Sequence, residues 1–156
     1  MATNNVINLG RYSFSAYLNT TASAVTGDGT LYSVICDTAE FNEGSCYNVM
    51  TGIYTAPIDG NYCFIFNCFL SSIGAQTTGQ ILFQRKPNTD QLFAAYLNPS
   101  TVASAGYMGL NSNILIHLSA TDTMEFLVAL TGSTKTVDVL GSAAAQYTRC
   151  SGFLVL

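Results

Sequence analysis

The last eleven residues, Gln146 to Leu156, constrain this chain most. They end on Phe153-Leu-Val-Leu156, an apolar run with nothing behind it. Chain ends fray unless a sheet holds them. An apolar end must therefore be buried, or it leaves a sticky strand edge. The simplest resolution makes this the inner strand of a sheet, with earlier strands paired on both sides.

Length and composition narrow the solution. At 156 residues a single domain is expected. Charged residues are only 9% and hydrophobic residues 49%, with Ser, Thr, Asn and Gly filling most of the rest. Low charge removes repulsion between copies and favours a homo-oligomer with covered surface. Five Lys and Arg against nine Asp and Glu give a net charge of −4. With no basic run, nucleic-acid binding is not expected. Apolar runs such as Phe64-Ile-Phe66 fall far short of the ~20 residues that span a bilayer. The start, Met1-Ala-Thr-Asn-Asn-Val6, carries neither a basic nor an apolar leader region, so a native Met1 implies cytoplasmic synthesis.

Period-two alternation recurs along the chain. Residues 1–10 are polar and read as an N-terminal arm, and 11–156 as one domain. From Arg11 to Leu18, Tyr12, Phe14, Ala16 and Leu18 alternate with polar positions. Residues 19–30 read as a loop, 31–37 as a strand, and 40–44 as a turn. A short strand from Cys46 passes into Met50–Ala56. Pro57-Ile-Asp-Gly60 carries hairpin chemistry. Asn61–Leu70 is apolar on both faces, so it needs a cover beyond its own core, and a neighbouring subunit supplies one. Further strands are expected at 79–86, 91–97, 114–118, 123–130 and 137–140. Residues 101–113 are ambiguous. No window has a helical apolar stripe. Nine or ten short strands with frequent turns mean an all-β sandwich or barrel.

Several segments then resemble, in order, the globular C1q-like domain of the C1q and tumour-necrosis-factor superfamily. They are Phe14-Ser-Ala-Tyr-Leu18, Val34-Ile-Cys-Asp37, Asn42-Glu-Gly44 with Tyr47, and Gly52-Ile-Tyr-Thr-Ala-Pro57 with Gly60, Tyr62 and Phe64. Leu115–Asp122 resembles the penultimate hairpin, and Tyr147 with Ser151-Gly-Phe-Leu154 the terminal strand. Cys150 departs from the pattern, standing where the family has Phe. The resemblance implies a jelly roll of two antiparallel sheets and a homotrimer whose inner sheets face a threefold axis. It makes Phe14, Tyr47, Tyr54, Tyr62, Phe64, Gly152 and Phe153 core or axis residues, and which of the two each is stays open. Because some family members bind calcium in loops near the axis, it also makes Asp28 and Asp122 calcium candidates, although neither has ligand spacing.

Catalytic chemistry is not expected. There is no nucleophile elbow and no phosphate loop. His117, the one histidine, has no positioned partner in sequence, and the acids at 28, 59, 90 and 122 fall in turns. No cofactor is expected. Cys36, Cys46, Cys63, Cys68 and Cys150 are an odd set without a CxxC, so they read as reduced, buried thiols. The sequon Asn19-Thr-Thr21 reads as chance. The expected role is a non-enzymatic homotrimer on a virion surface, as a capsid decoration protein or fibre head, whose partner is another structural protein of the particle. The alternative is a soluble or secreted recognition module that binds glycans or cell-surface proteins.

Overall fold

The computed structural model describes residues 9–88 and 90–155. Thirteen strands follow a short 3-10 turn at Leu9–Tyr12. They are β1 (Ser13–Tyr17), β2 (Thr20–Thr26), β3 (Tyr32–Ser33), β4 (Thr38–Glu43), β5 (Tyr47–Asn48), β6 (Ile53–Thr55) and β7 (Gly60–Ser71). After them come β8 (Thr78–Lys86), β9 (Asp90–Leu97), a one-turn helix α1 (Pro99–Val102), β10 (Met108–Leu118), β11 (Thr123–Thr131), β12 (Val137–Ser142) and β13 (Arg149–Val155). The arm expected at 1–10 lies almost wholly outside the described residues. Among the described residues no helix is long and apolar enough to cross a membrane.

The strands form two antiparallel sheets packed face to face, as expected of a jelly-roll sandwich. In the first sheet β13 lies between β7 and β1, and β4 follows β1. β10 pairs along the full length of β7, on the edge that β13 leaves free. β2 and β12 extend the same sheet beyond the ends of β1 and β13. In the second sheet β11 lies between β8 and the pair β6 and β3, with β9 and β5 at the edges. The C-terminal strand is thus inside a sheet, paired on both sides from Arg149 to Phe153 and with β7 alone at Leu154 and Val155.

Alternation sets the core. Tyr62, Phe64, Phe66, Cys68 and Leu70 of β7 point inward and are buried, as are Met124, Phe126, Val128 and Leu130 of β11. Phe126 meets the rings of Phe14, Phe64, Phe66 and Phe83, joining the two sheets.

Several local expectations are corrected. Residues 20–26, expected as loop, form β2 against β12, and Thr26 anchors the strand end by donating its hydroxyl to the Thr30 carbonyl and accepting from the Leu130 amide. Residues 38–43, expected partly as turn, form β4 against β1. The strand expected at 31–37 is regular only at 32–33. Beyond it the chain crosses between the sheets and buries Val34 and Cys36. Pro57–Gly60 is a crossover rather than a hairpin, since β6 belongs to the second sheet and β7 to the first. The hairpin expected at 115–122 is also a crossover, from β10 to β11.

Candidate functional site

The register divides the resemblance residues into two sets. Phe14 of β1 stands opposite Gly152 of β13, which stands opposite Phe64 of β7. A methyl group on Gly152 would lie 2.5 Å from Phe64 and 2.9 Å from Phe14, so the glycine is where two rings meet. Phe14 also stacks on Tyr47 at 4.3 Å and on Tyr54 at 5.4 Å, while Tyr54 meets Tyr62 at 5.7 Å and Phe64 at 5.0 Å edge-on. Tyr47 donates to the Cys36 carbonyl at 3.2 Å, and Tyr62 to the Ile58 carbonyl at 2.8 Å. The Tyr54 hydroxyl is buried without a hydrogen bond. Phe14, Tyr47, Tyr54, Tyr62, Phe64 and Gly152 therefore build the core.

Phe153 points the other way, outward from the first sheet. Three register rows cross this outward face. One runs Leu115, Cys63, Phe153, Ser13, Glu43; the next Asn113, Ile65, Ser151, Ser15, Phe41; the third Asn111, Asn67, Arg149, Tyr17, Thr38. Leu115 is 67% exposed, Phe41 46%, Phe153 41% and Ile65 37%. The second face of β7 is thus open in a single chain, as its two-sided apolar pattern requires. Leu115, Ile65 and Phe41 join Phe153 here. Their signal lay in the alternation itself, read with the register across strands.

Polar groups border the apolar rows. Arg149 pairs with Glu40 and also donates to Gln146 at 2.6 Å and Ser15 at 3.1 Å. The Ser15 hydroxyl leads the causes that hold the Glu40 carboxyl below its usual range, with Arg149 adding to it. Lys86 pairs with Glu125 at 2.5 Å, and Arg85 with Asp90. Three of the chain's five cations are thereby matched with carboxylates, which leaves little for a nucleic acid to meet. His117 is exposed at the end of β10, opposite Asn61.

Asp28 and Asp122 lie at opposite ends of β11. Asp28 is flanked by Gly27 and Gly29, whose amides bond to the Leu130 carbonyl, while Asp122 directly precedes Thr123. Each closes its own turn: Asp28 accepts from the Thr30 amide, and Asp122 from the Ser119 amide. At about 3.3 Å per residue they are too far apart to share an ion. Among the described residues no group of three His, Cys, Asp or Glu side chains could hold a metal.

The five thiols are free, and all but the half-buried Cys63 are buried. Cys63 and Cys68 lie on opposite faces of β7, as their spacing requires. Cys150 reaches the Tyr47 hydroxyl at 3.5 Å. Burial pushes the Cys46, Cys68 and Cys150 thiols up, which keeps them protonated and unreactive.

Residues 13–155 match the family described as the C1q domain. No curated protein sequence matches significantly. Among solved structures the chain is similar to murine APRIL, with 10% identity, a TM-score of 0.62, and 92% of this chain and 98% of that one covered. It is also similar to the globular domain of zebrafish complement 1qA protein, at 14% identity and a TM-score of 0.61, covering 93% and 98%. Eiger TNF from S. frugiperda gives 12% identity and a TM-score of 0.64, covering 93% and 92%. At these identities the structural likeness shows the fold alone.

Proposed function

We propose that this chain, which belongs to the C1q domain family, is a non-enzymatic homotrimeric module that assembles through the outward face of its first sheet and works by binding. The observation that carries this reading is the row Leu115, Cys63 and Phe153 with Ile65 beside it, an exposed apolar strip at the centre of a sheet. Monomers rarely leave such patches open. A trimer gives the strip a cover and uses Phe153 as an axis residue, while the other six resemblance residues stay in the core.

The assembled particle would be a structural and recognition unit on a surface. A virion surface, as capsid decoration or fibre head, suits a chain with 9% charged residues whose solubility rests on neutral polar groups. Residues 1–10 are its docking arm in this reading. Removing them should abolish attachment to the particle and spare the trimer, and unchanged attachment would reject the arm. The second reading, an extracellular recognition module that binds glycans or cell-surface proteins, rests on the family match alone.

Native mass by light scattering tests the assembly. A value near three times 16.6 kDa is expected, and Leu115→Asp should give single chains. A wild-type monomer would overturn the reading.

A further inference from the structure

We propose that Cys36 and Cys150 are a disulfide-forming pair, whose bond ties the crossing segment 34–37 to the terminal strand when the chain folds under oxidising conditions. The pair is independent of any contact between copies, because both residues lie inside the sandwich. Cys36 is 0% exposed and Cys150 1%.

Alternation points Cys150 inward from β13, between Ala16 of β1 and Phe66 of β7. Cys36 reaches the same place from the irregular segment between β3 and β4. The Tyr47 hydroxyl marks where the two meet. It donates to the Cys36 carbonyl at 3.2 Å and accepts from the Cys150 thiol at 3.5 Å. The two thiols also bond to each other, which adds to burial in pushing the Cys150 thiol up.

The other thiols are engaged elsewhere. Cys68 is on the same inward face and near enough to Cys36 to feel its charge, but position 148 stands opposite it and its thiol contacts the Thr148 side chain. Cys46 donates to the Glu43 carbonyl at 3.4 Å and to Asn42 Oδ1 at 3.7 Å. Cys63 lies on the outward side of β7.

The bond would hold a part of the core that lacks a strand ladder. Val34 donates to the Phe126 carbonyl, and Cys36 is held through Tyr47. A link to Cys150 fixes this segment to a strand paired on both sides. It also closes the long loop from 36 to 150, and long loops gain most from closure. In the step two S–H bonds break and one S–S bond forms. The two protons and two electrons pass to a small-molecule disulfide, which leaves as two thiols. In the folded chain neither sulfur is within reach of solvent, so exchange runs while the core is still open. Folding then seals whichever state has formed.

The test refolds the full chain from denaturant in mixed reduced and oxidised glutathione, with dithiothreitol as the reference. Thiol titration in denaturant should find two fewer than the five of the reduced chain, and peptide mapping should link Cys36 to Cys150. The oxidised form should melt several degrees above the reduced form. Cys68→Ala should keep the bond, and Cys150→Ala should abolish the rise in melting temperature. Mild reductant added to the folded, oxidised chain should leave the bond intact. The pair is overturned if all five thiols stay free, if the mapped bond uses Cys46, Cys63 or Cys68, or if the oxidised chain melts no higher than the reduced one. Mapping is read on wild type, so it decides the matter even where a variant fails to fold.

Discussion

At Gly152 the fold turns on a missing methyl group. Gly152→Ala puts a Cβ within 3 Å of both Phe64 and Phe14, and these rings are locked by Tyr47, Tyr54 and Phe126. Overpacking of this kind costs about 1–3 kcal/mol, so the midpoint of thermal unfolding should fall by several degrees, and an unchanged midpoint would mean the rings can move. Tyr54 runs the other way. Its buried hydroxyl lacks a hydrogen bond, and an unpaired buried group costs about 1–3 kcal/mol. Tyr54→Phe should leave denaturant unfolding unchanged or shift its midpoint upward. Asp138 brings pH dependence. Burial pushes its carboxyl up, but the bonds from Ser72, Ala24 and Ser71 outweigh it and hold the group below its usual range. Its stabilising effect is therefore present above the unfolded value of about 3.9 and is lost as pH falls through the lower folded value. Unfolding curves of wild type and Asp138→Asn should differ near neutral pH and converge in strong acid.

At the scale of elements, β7 and β13 explain what the sequence could and could not reveal. Alternation is local, so the buried faces of β7, β11 and β1 were legible residue by residue, and the C-terminal run could be placed inside a sheet from its apolar end alone. Register is not local. That Leu115 stands in line with Cys63 and Phe153 depends on how β10, β7 and β13 align, and nothing within any one of them states it. The same blindness turned two crossovers into hairpins: turn chemistry at Pro57–Gly60 fixes a reversal but not which sheet the next strand joins. The irregular crossing at 34–37 still alternates, with Val34 and Cys36 buried, and so it imitated a strand. β2 was hidden for the opposite reason. Its Ser, Thr and Ala side chains on an edge give no apolar signal, and Thr26 holds it by hydrogen bonds instead.

For the whole molecule, what holds the copies together can be decided by which forces are available. The outward face carries apolar side chains at its centre, and its ion pair, Arg149 with Glu40, is closed within one chain. Association should then rest on apolar burial, which salt does not screen, whereas interactions between exposed charges are largely screened beyond a Debye length, about 3 Å at 1 M salt. The native mass should stay near three times 16.6 kDa in 1 M salt. It should also ignore reductant, because the thiols are free and four of the five are buried. Cys63 is the sensitive witness. It is half-buried in the single chain and lies between Leu115 and Phe153. In the assembled wild type it should resist alkylation, and in Leu115→Asp, freed as single chains, it should react readily. Equal labelling of the two would place the contact elsewhere on the molecule, and a mass that collapses in salt would mean that charge, not this strip, joins the subunits.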